Sequence, residues 1–312
     1  MNLKIKSIAL IFFVLVSLCG EIQAMEDAFS NPQPVSIANL PKGYGGTPIS
    51  TEEPFMSRDG KFLFFNSGDK ENHKDLHFAE WKGGHWLYRG EVGDKVNTAK
   101  EVEGNPTMDS AYNFFYIDSS TQTMVRKSHF YPITGKLGAL RDEKGVPKRI
   151  VKPFKRFQGN MGVEVSADGA YLYFSRATWE MRGFKLGPFE DSDILFSKRQ
   201  DGNYVYDESE AKRVMQYINT PDMEYAASIS ADGLELFFTR LPLADLKKGK
   251  LHSQIMLATR GNLLEAFGNP QPITAIGSDD FVEGPSISPD GRELYYHKRE
   301  GEKFSLYKVT RH

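Results

Sequence analysis

The stretch EGPSISPDGRELYYHK, from Glu283 to Lys298, holds a whole β-hairpin. Asp290-Gly291 marks the turn, because glycine accepts positive φ and aspartate tolerates it. The run before the turn, Pro285-Ser286-Ile287-Ser288, carries small side chains, whereas Glu293-Leu294-Tyr295-Tyr296 is bulky and β-prone. A narrow strand beside a wide one suits a place crowded on one side, such as an axis.

The segment recurs. EEPFMSRDGKFLFFNS (52–67), GVEVSADGAYLYFSR (162–176) and AASISADGLELFFTR (226–240) repeat it, and NPTMDSAYNFFYID (105–118) is a worn copy with Ala111-Tyr112 in place of Asp-Gly. The turn positions 59, 111, 168, 232 and 290 lie 52, 57, 64 and 58 residues apart. A repeat of several strands at such a period points to propeller blades.

Each hairpin is followed by a third strand: DLHFAEW from Asp75, DILFSKR from Asp193, QIMLATR from Gln254 and SLYKVTR from Ser305. Fourth, outer strands are expected at PQPITAI from Pro270, PKRIVKP from Pro147 and AKRVMQY from Ala211. Helical signals are nearly absent. The chain stops at His312 after a third strand, while NPQPVSIANL from Asn31 matches GNPQPITAIG from Gly268. The N-terminal segment therefore supplies the outer strand that the last blade lacks, near Val35–Ile37 against Leu306–Val309. The expected fold is all-β: a five-bladed β-propeller of four-stranded blades over residues 25–312, closed by the N-terminal strand.

SISPDGRELYYHK, VSADGAYLYFSR, SISADGLELFFTR and the third strand in DILFSKRQDGNY resemble the repeat of TolB-like propellers, a WD-like family. Four of the five repeats match well. The resemblance specifies the blade, but that family includes partner-binding modules and carbohydrate-active enzymes, so it leaves the activity open.

Lys4 and Lys6, an apolar run from Ile8 to Leu18, and Gly20 to Ala24 have the layout of a secretory signal over residues 1–24. The run is about half the ~20 residues a membrane span needs. Cleavage after Ala24 would begin the mature chain at Met25. A lipoprotein would use Cys19 instead, behind a Leu18 that is large for that position. Cys19 is the only cysteine, so a chain cut after Ala24 forms no disulfide and no thiolate metal site. The expected product is periplasmic or secreted and monomeric, with no transmembrane segment. A formal charge of −2 argues against nucleic acid as a general partner.

Strand parity separates two faces. The Asp-Gly turns lie on one, and Asp59, Asp168, Asp232 and Asp290 are read as structural. Entries to the first strands share the other face with the ends of the second strands. The entries carry Glu52, Glu53, Glu103, Glu224, Asp280 and Glu283, and the ends carry Arg176, Arg240 and Lys298. The insertion 177–192, with Trp179, Phe184 and Phe189, and the insertion 241–253 rise from this face too. These charges and Trp179 form the candidate axial binding face; the alternative is that the charges pair with one another and cap loops. His73 and His77 lie four apart but on loop and strand, a poor metal pair. The basic run KGVPKRIVKPFKRF (144–157) reads as a solvated outer strand, with a polyanion grip as the alternative. No phosphate-loop or dinucleotide motif occurs, and no cofactor is expected. Two functions follow: an exported binding module for a cell-envelope protein or glycan, or a glycoside hydrolase. The latter needs two carboxyl groups roughly 5–5.5 or 6.5–9.5 Å apart.

Overall fold

The computed structural model describes residues 28–43, 46–70, 73–93, 96–98, 101–152, 155–183, 185–277 and 280–312; the signal segment and Cys19 lie outside them. The described chain is nearly all β. Its strands form four hydrogen-bonded sheets of four, five, nine and five strands. The nine-stranded sheet is two successive units joined by one parallel bridge, Ser192 to Met223. Each unit begins with the short strand of a repeat: Glu52–Met56, Glu103–Met108, Arg156–Val165, Met223–Ile229 and Val282–Ile287. These inner strands pack in order, one to five, and the fifth returns to the first. No sheet runs around the whole ring.

An inner strand leaves one edge of N–H groups without a ladder partner, and buried N–H groups need acceptors. Side chains of the preceding unit supply them in two tiers. Nearer the turns, Thr107 Oγ1 accepts from Val165 N (3.2 Å), Glu164 Oε1 from Ile229 N (3.3 Å), Ser228 Oγ from Ile287 N (3.1 Å), and Ser286 Oγ from Met56 N (3.3 Å). At the other end Ser175 Oγ accepts from Ala226 N (3.1 Å), Thr239 Oγ1 from Gly284 N (3.1 Å), and His297 Nδ1 from Glu53 N (3.0 Å). Asn105 Oδ1 takes Val163 N in the same way. The small polar residues of the repeat thus hold neighbouring units together.

The turns repeat as closely. In four units a serine hydroxyl donates to the turn aspartate at 2.6 Å and accepts the N–H five residues on, as Ser288 does from Glu293 N (2.8 Å). In the worn repeat Asp109 takes the serine's place, accepting Ala111 N and Asn113 N, and Tyr112 adopts φ 60° where the others have glycine.

The N-terminal segment joins last unit to first. Gln33–Pro34 pairs with Lys308–Tyr307, Val35 N reaches Leu306 O at 2.8 Å, and Ile37–Ala38 then runs parallel to Trp86–Leu87 of unit one. Two expected outer strands are corrected. Residues 150–152 pair with the inner strand of unit three, while Lys136–Leu137 and Arg141–Asp142 form the outer edge of unit two. The segment from Ala211 is not a strand but part of a helix, Glu208–Val214. Asp207 caps it by accepting from Ser209 N and Glu210 N, Glu208 and Glu210 sit in its first turn, and Ala211 and Val214 are buried. That cap was legible in the sequence; the alternation of the flanking strands masked it.

Replacing Ser228 with Ala strands Ile287 N at the axis. It should cost about 1–3 kcal/mol in urea unfolding. Removing residues 28–38 takes away both short strands that join the last unit to the first and should lower the melting temperature sharply; an unchanged cooperative melt would refute the closure.

Candidate functional site

The two ends of the axis differ chemically. At the turn end, Arg58 reaches from the first turn to Glu164 of unit three (2.8 Å), with both side chains about 95% buried. It also donates to Val165 O at 2.6 Å and Met108 O at 3.1 Å. Glu164 further accepts from Thr107 Oγ1 and Ile229 N, so one carboxylate is touched by units one, two and four. A salt bridge thereby spans this end of the axis.

At the opposite end a β-bulge interrupts every inner strand. In four of them it carries a left-handed residue: Glu53 (φ 49°), Asn105 (49°), Ala226 (51°) and Gly284 (63°). Three of these are not glycine, which costs roughly 1 kcal/mol or more each. Bulges re-aim side chains, and here they gather a polar cluster. Lys74 Nζ lies 2.7 Å from Glu52 and 3.3 Å from Glu53. Glu53 Oε2 accepts Asn105 N at 2.7 Å, over Gly104, where a Cβ would fall 2.8 Å from that oxygen. Glu283 accepts the Tyr225 hydroxyl with one oxygen and meets His297 Nε2 with the other (3.2 Å). Because His297 Nδ1 accepts Glu53 N, the ring proton sits on Nε2 and is donated to Glu283.

Burial alone would raise the Glu52 carboxyl, but the Lys74 ammonium carries it below the usual carboxylate range. Burial disfavours the Lys74 charge, yet Glu53 and Glu52 hold its pKa above the ordinary value. Burial and Glu283 push the Tyr225 hydroxyl well up, so it stays a donor. One side of the cluster is apolar: Tyr225 packs with Met161, Phe189, Leu246 and Phe281 around Met223, Leu241 and Leu243.

The expected site residues divide. Glu52, Glu53 and Glu283 come together. Asp280 and Lys298 pair with each other at 2.6 Å, both partly exposed. Glu103 and Glu224 are fully buried and cap the loops before their own strands: Glu103 binds Thr98 N and Oγ1, Glu224 binds Thr220 N and Oγ1. Arg240 braces Glu224 at 2.7 Å. Both glutamates stand one residue further from the bulge than Glu52 and Glu283, which turns them to the other side of the strand. Trp179 packs at tilted angles between Phe157 (5.4 Å) and Phe189 (5.0 Å) on a ribbon paired out to Arg182–Lys185. Arg176 lines a separate groove of about 530 Å³ with Asp193, Tyr206 and Lys212. Lys74, Tyr225 and His297 were missed, although His297 occupies the end of a second strand. His77 is buried between Ser67 and Tyr88. Among the described residues no group of three or more His, Cys, Asp or Glu could hold a metal.

No protein-family model matches the sequence, and no curated protein does. Solved structures match its fold. A glycoside hydrolase superposes with TM-score 0.58 at 11% identity, over 93% of this chain and 94% of the other. A BT0996 RGII complex gives 0.56 at 11%, over the same shares. TolB from Acinetobacter baumannii gives 0.43 at 13%, over 85% of this chain, which spans 55% of that protein. The inner strands that pack in order and return to the first make the fold a β-propeller; TolB proteins are among its structural neighbours.

Replacing Glu224 with Ala leaves Arg240 and the Thr220 loop without their acceptor. It should destabilise by about 2–3 kcal/mol. Burial, then Asp191 and Glu224, push the Asp193 carboxyl up to about 6. An unfolded aspartate releases its proton near pH ~3.9, so the folded form holds a proton the unfolded chain has lost. This contribution is full at low pH and is lost as pH rises through about 6. Asp193→Asn should therefore raise the melting temperature at neutral pH and leave it unchanged near pH 4, by calorimetry.

Proposed function

We propose that the chain is a five-bladed propeller, closed by its N-terminal strand, that is exported and binds a glycan at the end of the axis opposite the turns. The observation that carries this is the cluster of Lys74, Glu53, Glu283, Tyr225 and His297. It offers donors and acceptors in fixed orientation beside the Phe189 and Phe281 wall, and such pairing of polar groups with an apolar face suits a sugar ring. Arg58 and Glu164 at the turn end are about 95% buried, whereas Lys74, Glu53 and Glu283 keep 29%, 21% and 19% of their side chains exposed, which supports this mouth as the binding end. A cell-envelope protein carrying such a glycan fits as partner, and residues 1–24 would direct export and then be removed. No helix among the described residues is long and apolar enough to cross a membrane.

The fold shared with a glycoside hydrolase supports a second reading, with two of Glu52, Glu53 and Glu283 as the carboxylate pair. Against it stands Glu52, which Lys74 holds ionised where a general acid needs a raised pKa.

A glycan array followed by calorimetry tests the proposal. Tyr225→Phe and Glu283→Gln should each weaken the best ligand by at least about tenfold, or ~1.4 kcal/mol, without lowering the melting temperature by more than a few degrees. Absence of any glycan ligand, or variants that bind as wild type, would overturn it. Turnover of the bound glycan, lost in Glu283→Gln, would favour the hydrolase.

A further inference from the structure

The outer edge of unit two differs in charge from the rest of the molecule. Between Arg126 and Arg156 the sequence places ten lysines and arginines against two acids, Asp142 and Glu143, in a chain of formal net charge −2. The structure spends both acids internally. Asp142 lies 3.6 Å from Arg126, and Glu143 lies 2.7 Å from Lys127. Arg141, Lys144, Lys148 and Lys155 are exposed, and among the described residues no carboxylate stands within ion-pair distance of them. A lysine or two on an outer strand is ordinary protection of a sheet edge. Arg126 is also paired with Asp118 and Arg156 with Glu190, but Arg141, Lys144 and Lys148 remain as a run of exposed cations with no carboxylate partner among the described residues, which goes beyond that.

These cations stand on an ordered backbone. Glu143 N bonds Val125 O (2.9 Å), Gly145 N bonds Glu143 (2.8 Å), Asn160 Nδ2 bonds both Thr123 O and Pro147 O, and Arg149 N bonds Gln122 O (2.7 Å). Beside them a cleft of about 330 Å³ opens between units two and three, where Lys127, Tyr131, Arg141, Arg199 and Tyr204 meet one acid, Asp109, which is buried and engaged by the turn N–H groups of Ala111 and Asn113. Tyr131 is half exposed and meets the His129 ring edge-on at 4.8 Å. An aromatic face beside fixed cations suits a sugar ring that carries a negative charge.

We infer that this edge binds an acidic polysaccharide, its carboxylate or sulfate groups spaced along Arg141, Lys144 and Lys148 and one ring seated in the cleft. The surface is separate from the axial mouth and does not depend on it. It would add a second contact on the same chain, raising the effective concentration of a long ligand.

Polygalacturonate and dextran sulfate, with neutral dextran as control, test this by calorimetry on the whole protein at 50 and 300 mM NaCl. Binding of the charged polymers is expected, weakening at least about tenfold over that salt range because exposed charges are screened. The triple variant Arg141→Glu, Lys144→Glu, Lys148→Glu should lose at least about tenfold more at 50 mM, with an unchanged melt. Should that variant misfold, Arg141→Gln and Lys144→Gln read the same effect in smaller steps. Tyr225→Phe should leave this binding intact, which separates it from the mouth. No binding at low salt, or equal binding by the variants, would overturn the inference. So would tighter capture of single-stranded DNA or of phosphatidylglycerol vesicles than of either polysaccharide.

Discussion

A side-chain oxygen of one unit accepting the backbone N–H of the next is the contact on which the molecule depends. Apart from the pairing of residues 150–152 and the Ser192–Met223 bridge, inner strands pair on one side only, and their other edge meets the next unit with no room for a ladder. Ser228, Ser286, Thr107 and Glu164 solve this in one tier, and Ser175, Thr239 and His297 in another. Each bond is individually modest, about 1 kcal/mol net. Leaving its N–H buried and unmade costs more, so the ring specifies neighbours as well as holding them. It also explains the small residues Thr107, Ser228 and Ser286 at this position of the first strands: a large apolar side chain there would push the units apart. Unit one is the exception. Phe55 offers no oxygen, and Arg58 takes over, donating instead to Met108 O.

That exception sets the polarity of the axis. Arg58 cannot reach Met108 O without bringing its charge inside, and Glu164 is there to neutralise it. A buried pair of this kind adds little net stability but is costly to break, about 3–5 kcal/mol when one partner is removed. The opposite end is arranged differently. Its bulges place residues in the left-handed region at the same position in four units, and the strain is sustained because each strained N–H has its own acceptor. The cluster of Lys74, Glu52, Glu53, Glu283, Tyr225 and His297 is thus fixed by the same bonds that close the ring. Site and scaffold are not separable here, since His297 both ties unit five to unit one and orients Glu283.

The sequence by itself determined the repeat. Asp-Gly turns, small first strands and aromatic second strands are local chemistry, and each appeared where its residues placed it, down to the worn copy with Tyr112 in glycine's role. The match between Asn31 and Gly268 was enough to send the N-terminal segment to the last unit. Tertiary structure decided what a period of two cannot carry through a bulge. One extra residue reverses which side of the strand a side chain takes. Glu103 and Glu224 therefore brace buried loops while Glu52 and Glu283 gather at the axis, although all four sit at strand entries of the same repeat. Lys74 and Tyr225 join them from a loop end and the far side of the ring, because the closing of five inner strands brings distant residues together, and no local pattern records that closing.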